Sequence, residues 1–312
     1  MSMSKKDYVY ADIIEDSEDE NEDQDEDQDE GNAFEIEVSV SSKPKRITKK
    51  SSAKVKLDTN SGEQEEIIEE NPVIVKKPRA KTVALPLRKY MHENENIGEI
   101  GVDEAGRGPL FGRVYAAAVI LPKDDSFDHS KAKDSKKFHS KKKIEEVAEY
   151  IKSNALAWSV AFEDEHTIDE INILQATQQA MHKAILAVKK DYCNKQVKLG
   201  SGQVNIHLLI DGNYFKPITN YNNEKKKIES LPFTCIEGGD NKFSSIAAAS
   251  ILAKVERDRY IDDLCQKNPE LVERYSIDSN KGYGAKKHLD GIKQYGISIW
   301  HRKTFGICKE HC

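Results

Sequence analysis

Five short segments of the chain have the hydrophobic pattern of β-strands. Their residues alternate between apolar and polar or run continuously as apolar, and turn residues flank them. The predicted strands are residues 97–104, 113–121, 155–162, 206–210 and 233–236. The segment 206–210 (IHLLI) is almost wholly apolar, which is typical of a strand buried in a parallel sheet.

Four longer segments have apolar residues at helical spacing. In the first of them Ile144, Val147 and Ile151 share one face, and Ser140 precedes them as a candidate N-cap. The predicted helices are residues 140–153, 171–190, 244–264 and 285–295. The order of strands and helices indicates an α/β fold, a mixed five-stranded sheet with helices packed on it. The crevice at the carboxyl ends of the parallel strands is the expected place of a site.

Charge divides the chain near residue 97. Lys and Arg set against Asp and Glu give −9 for residues 1–97 and +3 for residues 98–312. Residues 11–30 hold thirteen acidic residues and no Lys or Arg, and such a block repels itself and stays unfolded. We therefore predict a disordered low-complexity tail, acidic and basic, at 1–96 and one folded domain at 97–312.

The predicted tail also contains a basic segment, 43–56, with seven Lys and Arg residues. This segment could be a nuclear import signal or a nucleic-acid contact. The acidic segment could dock a basic protein partner or fold back on the basic one. A solvated spacer is the simpler interpretation of both.

Composition excludes several classes of protein. No apolar run reaches the roughly 18 to 20 residues that cross a bilayer, and residues 1–20 lack the apolar core of a signal peptide. The five cysteines are scattered without a C-x-x-C pair, so neither a disulfide framework nor a structural zinc site is indicated. We expect an intracellular, cytoplasmic protein without membrane contact, with the nucleus as the alternative through residues 43–56.

Four acidic residues fall close to the ends of predicted strands. Asp103 directly follows an apolar strand segment, Glu104 is its neighbour, and Asp211 directly follows LLI. Asp240 comes soon after the last predicted strand. These four carboxylates could therefore gather at one end of the sheet, although acidic residues at strand ends are also common as helix caps and turn formers.

Clustered carboxylates indicate a divalent metal site. Close carboxylates repel one another, and a cation relieves that repulsion. Oxygen ligands without His or Cys suit Mg²⁺ or Mn²⁺ better than Zn²⁺. Two such ions can activate a water and stabilise the leaving oxygen in phosphodiester hydrolysis.

The turn GVDEAGRGPL is the second candidate feature. Gly106 and Gly108 let the backbone approach a ligand closely, and Arg107 between them could grip a phosphate. A G-R-G sequence alone is common between strands. Beside an Asp-Glu pair it favours a polyanionic substrate.

At these residues the sequence resembles ribonuclease HII, the type 2 ribonuclease H family. Seven motifs carry the resemblance in the family's order, and they span nearly all of 98–312. They are GVDEAGRGPLFG (101–112), DSKKF (134–138), IDEINILQAT (168–177), LLIDGN (208–213), GDNKFSSIAAASILAKVERD (239–258), KGYG (281–284) and HRKTF (301–305). GRG in the loop and the lack of a folded N-terminal domain favour this family over ribonuclease HIII.

The resemblance implies a ribonuclease H-like fold and an endonuclease that cleaves RNA in RNA/DNA hybrids. It also implies cleavage 5′ to single ribonucleotides in duplex DNA, with 3′-hydroxyl and 5′-phosphate ends, and so roles in ribonucleotide excision repair and DNA replication. The implied catalytic and metal-binding residues are Asp103, Glu104, Asp211 and Asp240, with two Mg²⁺ or Mn²⁺ ions as cofactors.

The resemblance also implies a set of substrate-binding residues. The loop 106–108 corresponds to the family's sensor of the 2′-hydroxyl, the group that distinguishes RNA from DNA. Tyr283 matches a tyrosine that stacks on the sugar after the ribonucleotide, although a turn tyrosine can also simply fill core. The expected contacts are Gly106, Arg107, Gly108, Tyr283, Lys136, Lys137 and Lys254, with Arg257 as a further candidate. As lysines alone, the three Lys residues would be ordinary surface positions.

Some features depart from the family pattern and leave alternatives open. Phe138 replaces a leucine, Arg113 and Tyr115 are bulky, and the stretch from Asp211 to Asp240 is long. These affect local loop geometry and substrate preference. The alternatives are a non-catalytic module that binds nucleic acid or protein, with the tail as its docking segment, and another nuclease of the same fold, such as a resolvase or integrase. We expect a monomer.

Overall fold

A computed structural model describes residues 86–94, 96–132, 135, 138, 140–199, 205–223 and 225–312. Seven strands are formed in this part of the chain. They are β1 (Ile97–Ala105), β2 (Val114–Ile120), β3 (Ala157–Glu163), β4 (Asn205–Asp211), β5 (Thr219–Asn222), β6 (Lys227–Ser230) and β7 (Phe233–Ile236).

The central sheet has five strands in the order β3-β2-β1-β4-β7. The short turn after β1 returns the chain antiparallel, so β2 pairs with β1, and β3 then pairs antiparallel with β2. β4 pairs parallel with β1 and β7 pairs parallel with β4. The predicted mixed five-stranded sheet is therefore confirmed. β5 and β6 form a separate hairpin.

Helices cover both faces of the sheet. They are α1 (Lys141–Asn154), α2 (Glu165–Lys198), α3 (Ser244–Lys267), α4 (Glu270–Tyr275), α5 (Ile277–Asn280) and α6 (Lys286–Tyr295). One face of the sheet packs on α2, and the other packs on α1 and α3. Two covered faces explain why β2 is buried along its whole length and why its sequence is apolar throughout. No helix among the described residues is long and apolar enough to span a membrane.

α2 extends beyond the predicted helix at both ends, and its N-terminal extension is a separate helical piece. Asp164 caps the first piece by accepting a hydrogen bond from the Thr167 amide at 2.8 Å. Asn172 then leaves the helical conformation, with φ of 67°. Its side chain accepts from the amides of Leu174 and Gln175 and so caps the second piece. The prediction, 171–190, covered most of the second piece and missed the first.

Residues 86–94 precede the boundary predicted at residue 97, yet they contact the domain. The Arg88 amide donates to the Lys242 carbonyl at 2.8 Å, and the Ser244 amide donates to the Arg88 carbonyl at 3.0 Å. The buried carboxylate of Glu99 accepts from the amides of Met91 and His92. The boundary at 97 was therefore placed too late. Residues 1–85, with the acidic and basic segments of the predicted tail, lie outside the described residues.

Candidate functional site

Three of the four predicted carboxylates lie at one edge of the sheet. The parallel ladder between β1 and β4 runs as far as the pair Val102 and Ile210, so Asp103 and Asp211 come next in the same register. We expected Asp103 and Glu104 at the end of their strand. They lie inside it instead, because β1 continues to Ala105 in its pairing with β2. The site is thus built partly inside a strand, which fixes the backbone of Asp103.

Asp240 reaches this edge through a tight turn. The 3₁₀ turn Gly239–Asn241 follows β7, and Gly238 before it has a left-handed backbone with φ of 61°. The Gly239 amide donates to Asp211 Oδ1 at 2.6 Å, and this bond ties the turn to the end of β4. Asp240 is buried, and its Oδ1 accepts from Asn241 Nδ2 at 2.9 Å.

Burial and nearby like charges disfavour ionisation of Asp103 and Glu104. The pKa of Asp103 is raised well above its ordinary value, first because the group is buried and then because Glu104 and Asp211 carry like charge nearby. Burial also raises the pKa of Glu104, against the opposing effect of Arg107. The edge is therefore an acidic cluster that a cation would stabilise.

Two serines support Asp103 from below. Ser250, which is buried on α3, lies against Asp103 and partly offsets the rise in the pKa of that carboxyl, and the hydroxyl of Ser250 lies 3.0 Å from that of Ser135. Ser135 belongs to the DSKKF motif. One function of that motif is thus to complete the packing beneath Asp103, a role that the sequence alone did not indicate.

The donor set at this edge consists of carboxylate oxygens, which suits Mg²⁺ or Mn²⁺. Within the described ranges, no three His, Cys, Asp or Glu side chains already form a metal-ligating group. Binding an ion between these strands would therefore require rotation of the carboxylate side chains. The backbone positions of Asp103 and Asp211 are adjacent in the register of β1 and β4.

The glycine loop 106–108 lies directly beside the carboxylates. Arg107 Nη1 donates to Glu104 Oε1 at 3.1 Å, so its guanidinium faces the acidic edge. Gly106 has φ of 92°, and a Cβ there would lie 2.2 Å from Nε of Arg257. The glycine is required both for its backbone conformation and for the close approach of Arg257.

Tyr283 completes the same surface. A Cβ on Gly108 would lie 3.6 Å from Cε1 of Tyr283, so the ring stands against the loop. Tyr283 is 51% exposed, which contradicts a role as a core filler. Arg257 holds the backbone here, because its Nη2 donates to the Lys281 carbonyl at 2.9 Å.

The predicted lysine contacts are less closely tied to the site. Lys254 lies on α3, one turn beyond Ser250, and its ammonium pairs with Asp258 at 2.9 Å. Lys136 and Lys137 lie outside the described residues.

Sequence reasoning missed the residue that supports the glycine loop. Arg302, in the HRKTF motif, is fully buried and donates to four carbonyl groups of residues 106–112. A charged residue that is buried needs partners, and an arginine in the last family motif was the available signal. The partners could not be identified from the sequence, because they lie almost 200 residues away.

The fold has solved counterparts. The structure of ribonuclease H2 from Pyrococcus horikoshii OT3 superimposes with a TM-score of 0.50 and 21% identity, over 68% of this chain and 95% of that chain. The fold is thus that of the ribonuclease H class, with an acidic cluster at one edge of its central sheet.

Sequence comparison resolves the family within that class. The model of the family described as ribonuclease HII matches residues 100–308. Ribonuclease HII of Phocaeicola vulgatus is 43% identical over 216 residues, which cover 69% of this chain and 92% of the relative. Ribonuclease HII of Pelagibacter ubique is 43% identical over 66% of this chain and 94% of its own length. The chain belongs to the ribonuclease HII family.

Membership establishes the general activity. The protein is a ribonuclease H, an endonuclease that hydrolyses phosphodiester bonds of nucleic acids. Dependence on a divalent metal ion is general for the family.

Proposed function

We propose that this protein cleaves RNA in RNA/DNA hybrids and nicks duplex DNA on the 5′ side of single embedded ribonucleotides. The products carry 3′-hydroxyl and 5′-phosphate ends. The observation that carries the proposal is the contiguity of three features: the carboxylates of β1 and β4, the loop 106–108 and the exposed ring of Tyr283. A nuclease that recognises a ribose needs all three within the span of a few nucleotides.

The carboxylates fit two divalent ions. They offer oxygen donors alone, and the raised pKa of Asp103 reflects a buried acidic cluster that a cation would compensate. The proposed ligands are Asp103, Glu104, Asp211 and Asp240. When bound, two Mg²⁺ or Mn²⁺ ions would activate a water molecule and stabilise the leaving oxygen.

The remaining residues of the site bind and orient the substrate. Backbone amides of the loop 106–108 would donate to the 2′-hydroxyl and the adjacent phosphate, since glycines permit close approach. Arg107, which faces the acidic edge in this structure, would pair with a phosphate oxygen. Tyr283 would stack on the sugar that follows the ribonucleotide, and Lys136, Lys137 and Lys254 would contact the duplex backbone.

We also propose where and with what the protein works. It acts as a monomer inside the cell, in the cytoplasm. The alternative location is the nucleus, with the basic segment 43–56 as the import signal. The support comes from composition, because a predicted tail with acidic and basic segments precedes a domain with a net charge of +3. The tail would recruit a protein partner, while the folded domain would bind and cleave the substrate.

A nicking assay tests the proposed activity. Wild-type protein is incubated with duplex DNA that carries one ribonucleotide, with Mg²⁺ or with Mn²⁺. We expect nicking, and we expect Asp103→Asn to reduce its rate at least about a thousandfold, because a proposed metal ligand is lost.

Asp191→Asn is the matched control, since Asp191 makes an exposed ion pair with Lys195 on α2. This variant should nick like wild type. The proposal is wrong if the wild type fails to nick with either metal, or if Asp103→Asn nicks at an unchanged rate.

A further inference from the structure

The side chain of Arg302 spans residues 106–112, which are the glycine loop 106–108 and the turn that follows it. Its Nε donates to the Gly112 carbonyl at 2.8 Å, and its Nη2 donates to the Gly106 carbonyl at 2.6 Å. Its Nη1 donates to the carbonyls of Arg107 and Pro109, at 3.0 and 2.8 Å. The guanidinium thus contacts the beginning, the middle and the end of the segment 106–112, which contains the loop 106–108.

The shape of the guanidinium dictates the direction of the loop's peptide groups. It is planar and holds its N–H donors in a fixed fork, so each carbonyl must point to a defined position. In a trans peptide the carbonyl and the following amide point in opposite directions. Since the carbonyls of Gly106 and Arg107 point inward to Arg302, the amides of Arg107 and Gly108 point outward, away from it.

Arg302 is itself anchored from two sides. Its own amide donates to the Leu110 carbonyl at 2.8 Å. The turn that follows is held by Asp169 on α2, whose carboxylate accepts from the amides of Lys303 and Thr304 and from the Thr304 hydroxyl, at 2.6 to 2.9 Å. The anchoring links two family motifs, IDEINILQAT and HRKTF, to the loop of a third.

We propose that Arg302 is a positioning residue that aims the amides of the loop 106–108 at the substrate and so sets the preference for a 2′-hydroxyl. The proposal rests on the proposed function. Arg302 is fully buried behind the loop, so it acts through the loop's backbone and not by contact with the nucleic acid. Asp169 acts one step further back, by fixing the turn that holds Arg302.

Arg302→Lys is the primary test, because lysine keeps the charge but places its donors on one atom that cannot serve the carbonyls of both Gly106 and Gly112. We expect kcat for nicking at a single ribonucleotide to fall about 100-fold and KM to rise, as a loop that no longer holds the ribose would produce. Arg259→Lys is the matched control, since Arg259 pairs with Glu149 and Glu256 away from the loop, and it should nick like wild type.

A binding measurement separates positioning from loss of folded protein. Affinities for a ribonucleotide-containing duplex and for an all-DNA duplex of the same sequence are compared in the Asp103→Asn background. We expect Arg302→Lys to bring the ratio of the two affinities to about one while the affinity for all-DNA stays within about twofold. Partial unfolding would instead lower the active fraction for both duplexes equally and leave the ratio unchanged.

Asp169→Asn provides a second variant if circular dichroism shows that Arg302→Lys does not fold. Asp169 is only partly buried, and an amide nitrogen in place of one oxygen would face a backbone N–H. We expect a smaller loss of kcat and of the affinity ratio, with Asp191→Asn as control. A folded Arg302→Lys or Asp169→Asn protein with wild-type kcat and affinity ratio would overturn this inference alone. Failure of the wild type to nick would overturn the proposed function and this inference together.

Discussion

Two buried histidines behind the site form a fixed hydrogen-bonded pair. His301 Nδ1 accepts from the Ser298 amide at 2.9 Å, so its Nε2 carries the proton and donates to Nε2 of His288 at 3.0 Å. His288 Nδ1 then donates to the Tyr283 carbonyl at 2.8 Å. The pair is neutral in this arrangement, and it fixes the backbone that carries Tyr283.

This pair makes stability depend on pH. Burial, followed by the influence of His288, lowers the pKa of His301 to about 3, and burial also lowers the pKa of His288. These histidines therefore bind protons more readily in the unfolded chain than in the folded protein. Their contribution to the free energy of unfolding is fully present above about pH 6.5 and is lost as pH falls. We expect His301 to reduce the free energy of unfolding by about 2 kcal/mol between pH 7.5 and pH 5.

Denaturant unfolding at the two pH values measures this effect. His301→Asn should shrink the pH-dependent loss by that amount, whatever its effect on absolute stability. His166→Asn, at an exposed position on α2, should leave the loss unchanged. Equal pH dependence in wild type and His301→Asn would show that the pair does not titrate as described.

At the residue scale, the sequence predicted which residues gather at the site more readily than it predicted the side chains that hold them in place. Asp103, Glu104 and Asp211 were expected at one sheet edge, and the register of β1 and β4 brings them there. Arg302 and Asp169 were missed because their roles depend on contacts between segments more than 130 residues apart. The catalytic and substrate-binding roles themselves remain predictions.

At the scale of elements, the contact between β1 and α3 organises the site. β1 carries Asp103, α3 carries Ser250 beneath it, and Gly101 lies where the two backbones meet. A Cβ on Gly101 would lie 2.2 Å from the carbonyl carbon of Ser245. The absence of a side chain at this position is what allows α3 to approach the strand.

Gly101→Ala should therefore destabilise the protein. Because the clash is with backbone, the helix must shift, and we expect the free energy of unfolding to fall by about 3 kcal/mol. Gly284→Ala is the control, since its Cβ would meet side chains only at 3.8 Å. Denaturant unfolding of both variants decides the matter, and equal stabilities would contradict the close packing of α3 on β1.

Periodicity located the five strands of the central sheet and the long helices, because each has a continuous apolar stripe. The hairpin of β5 and β6 was not predicted, since its four-residue strands are mostly exposed and polar. α4 and α5 are likewise too short for a periodic signal. The start of α2 was missed because Asn172 interrupts the helical pattern.

At the scale of the whole molecule, the folded domain begins within the segment that sequence composition assigned to the tail. Met91 and His92 provide hydrogen bonds to the buried carboxylate of Glu99, and Arg88 pairs with the backbone around Phe243. Composition could not reveal that residues 86–94 contact the domain, because a short extended segment without its own core has no hydrophobic pattern.

Two truncations test where the domain begins. Deletion of residues 1–85 should leave both nicking and the free energy of unfolding unchanged. Deletion of residues 1–95 should lower that free energy by about 2 kcal/mol, because Glu99 loses its backbone donors. Equal stability of the two truncated proteins would contradict the role of the segment 86–94, and loss of nicking on deletion of 1–85 would favour a tail-dependent binding module.

The position of the cut tests the central claim most directly. End-labelled duplexes of one sequence, with a single ribonucleotide, with a run of ribonucleotides or with DNA alone, are incubated with the full-length protein and Mg²⁺ or Mn²⁺, and the products are mapped. We predict one nick directly 5′ to the single ribonucleotide, cuts within the RNA run, 3′-hydroxyl and 5′-phosphate ends, and an intact all-DNA duplex. Cleavage of the all-DNA duplex, or a nick on the 3′ side of the ribonucleotide, would contradict the account.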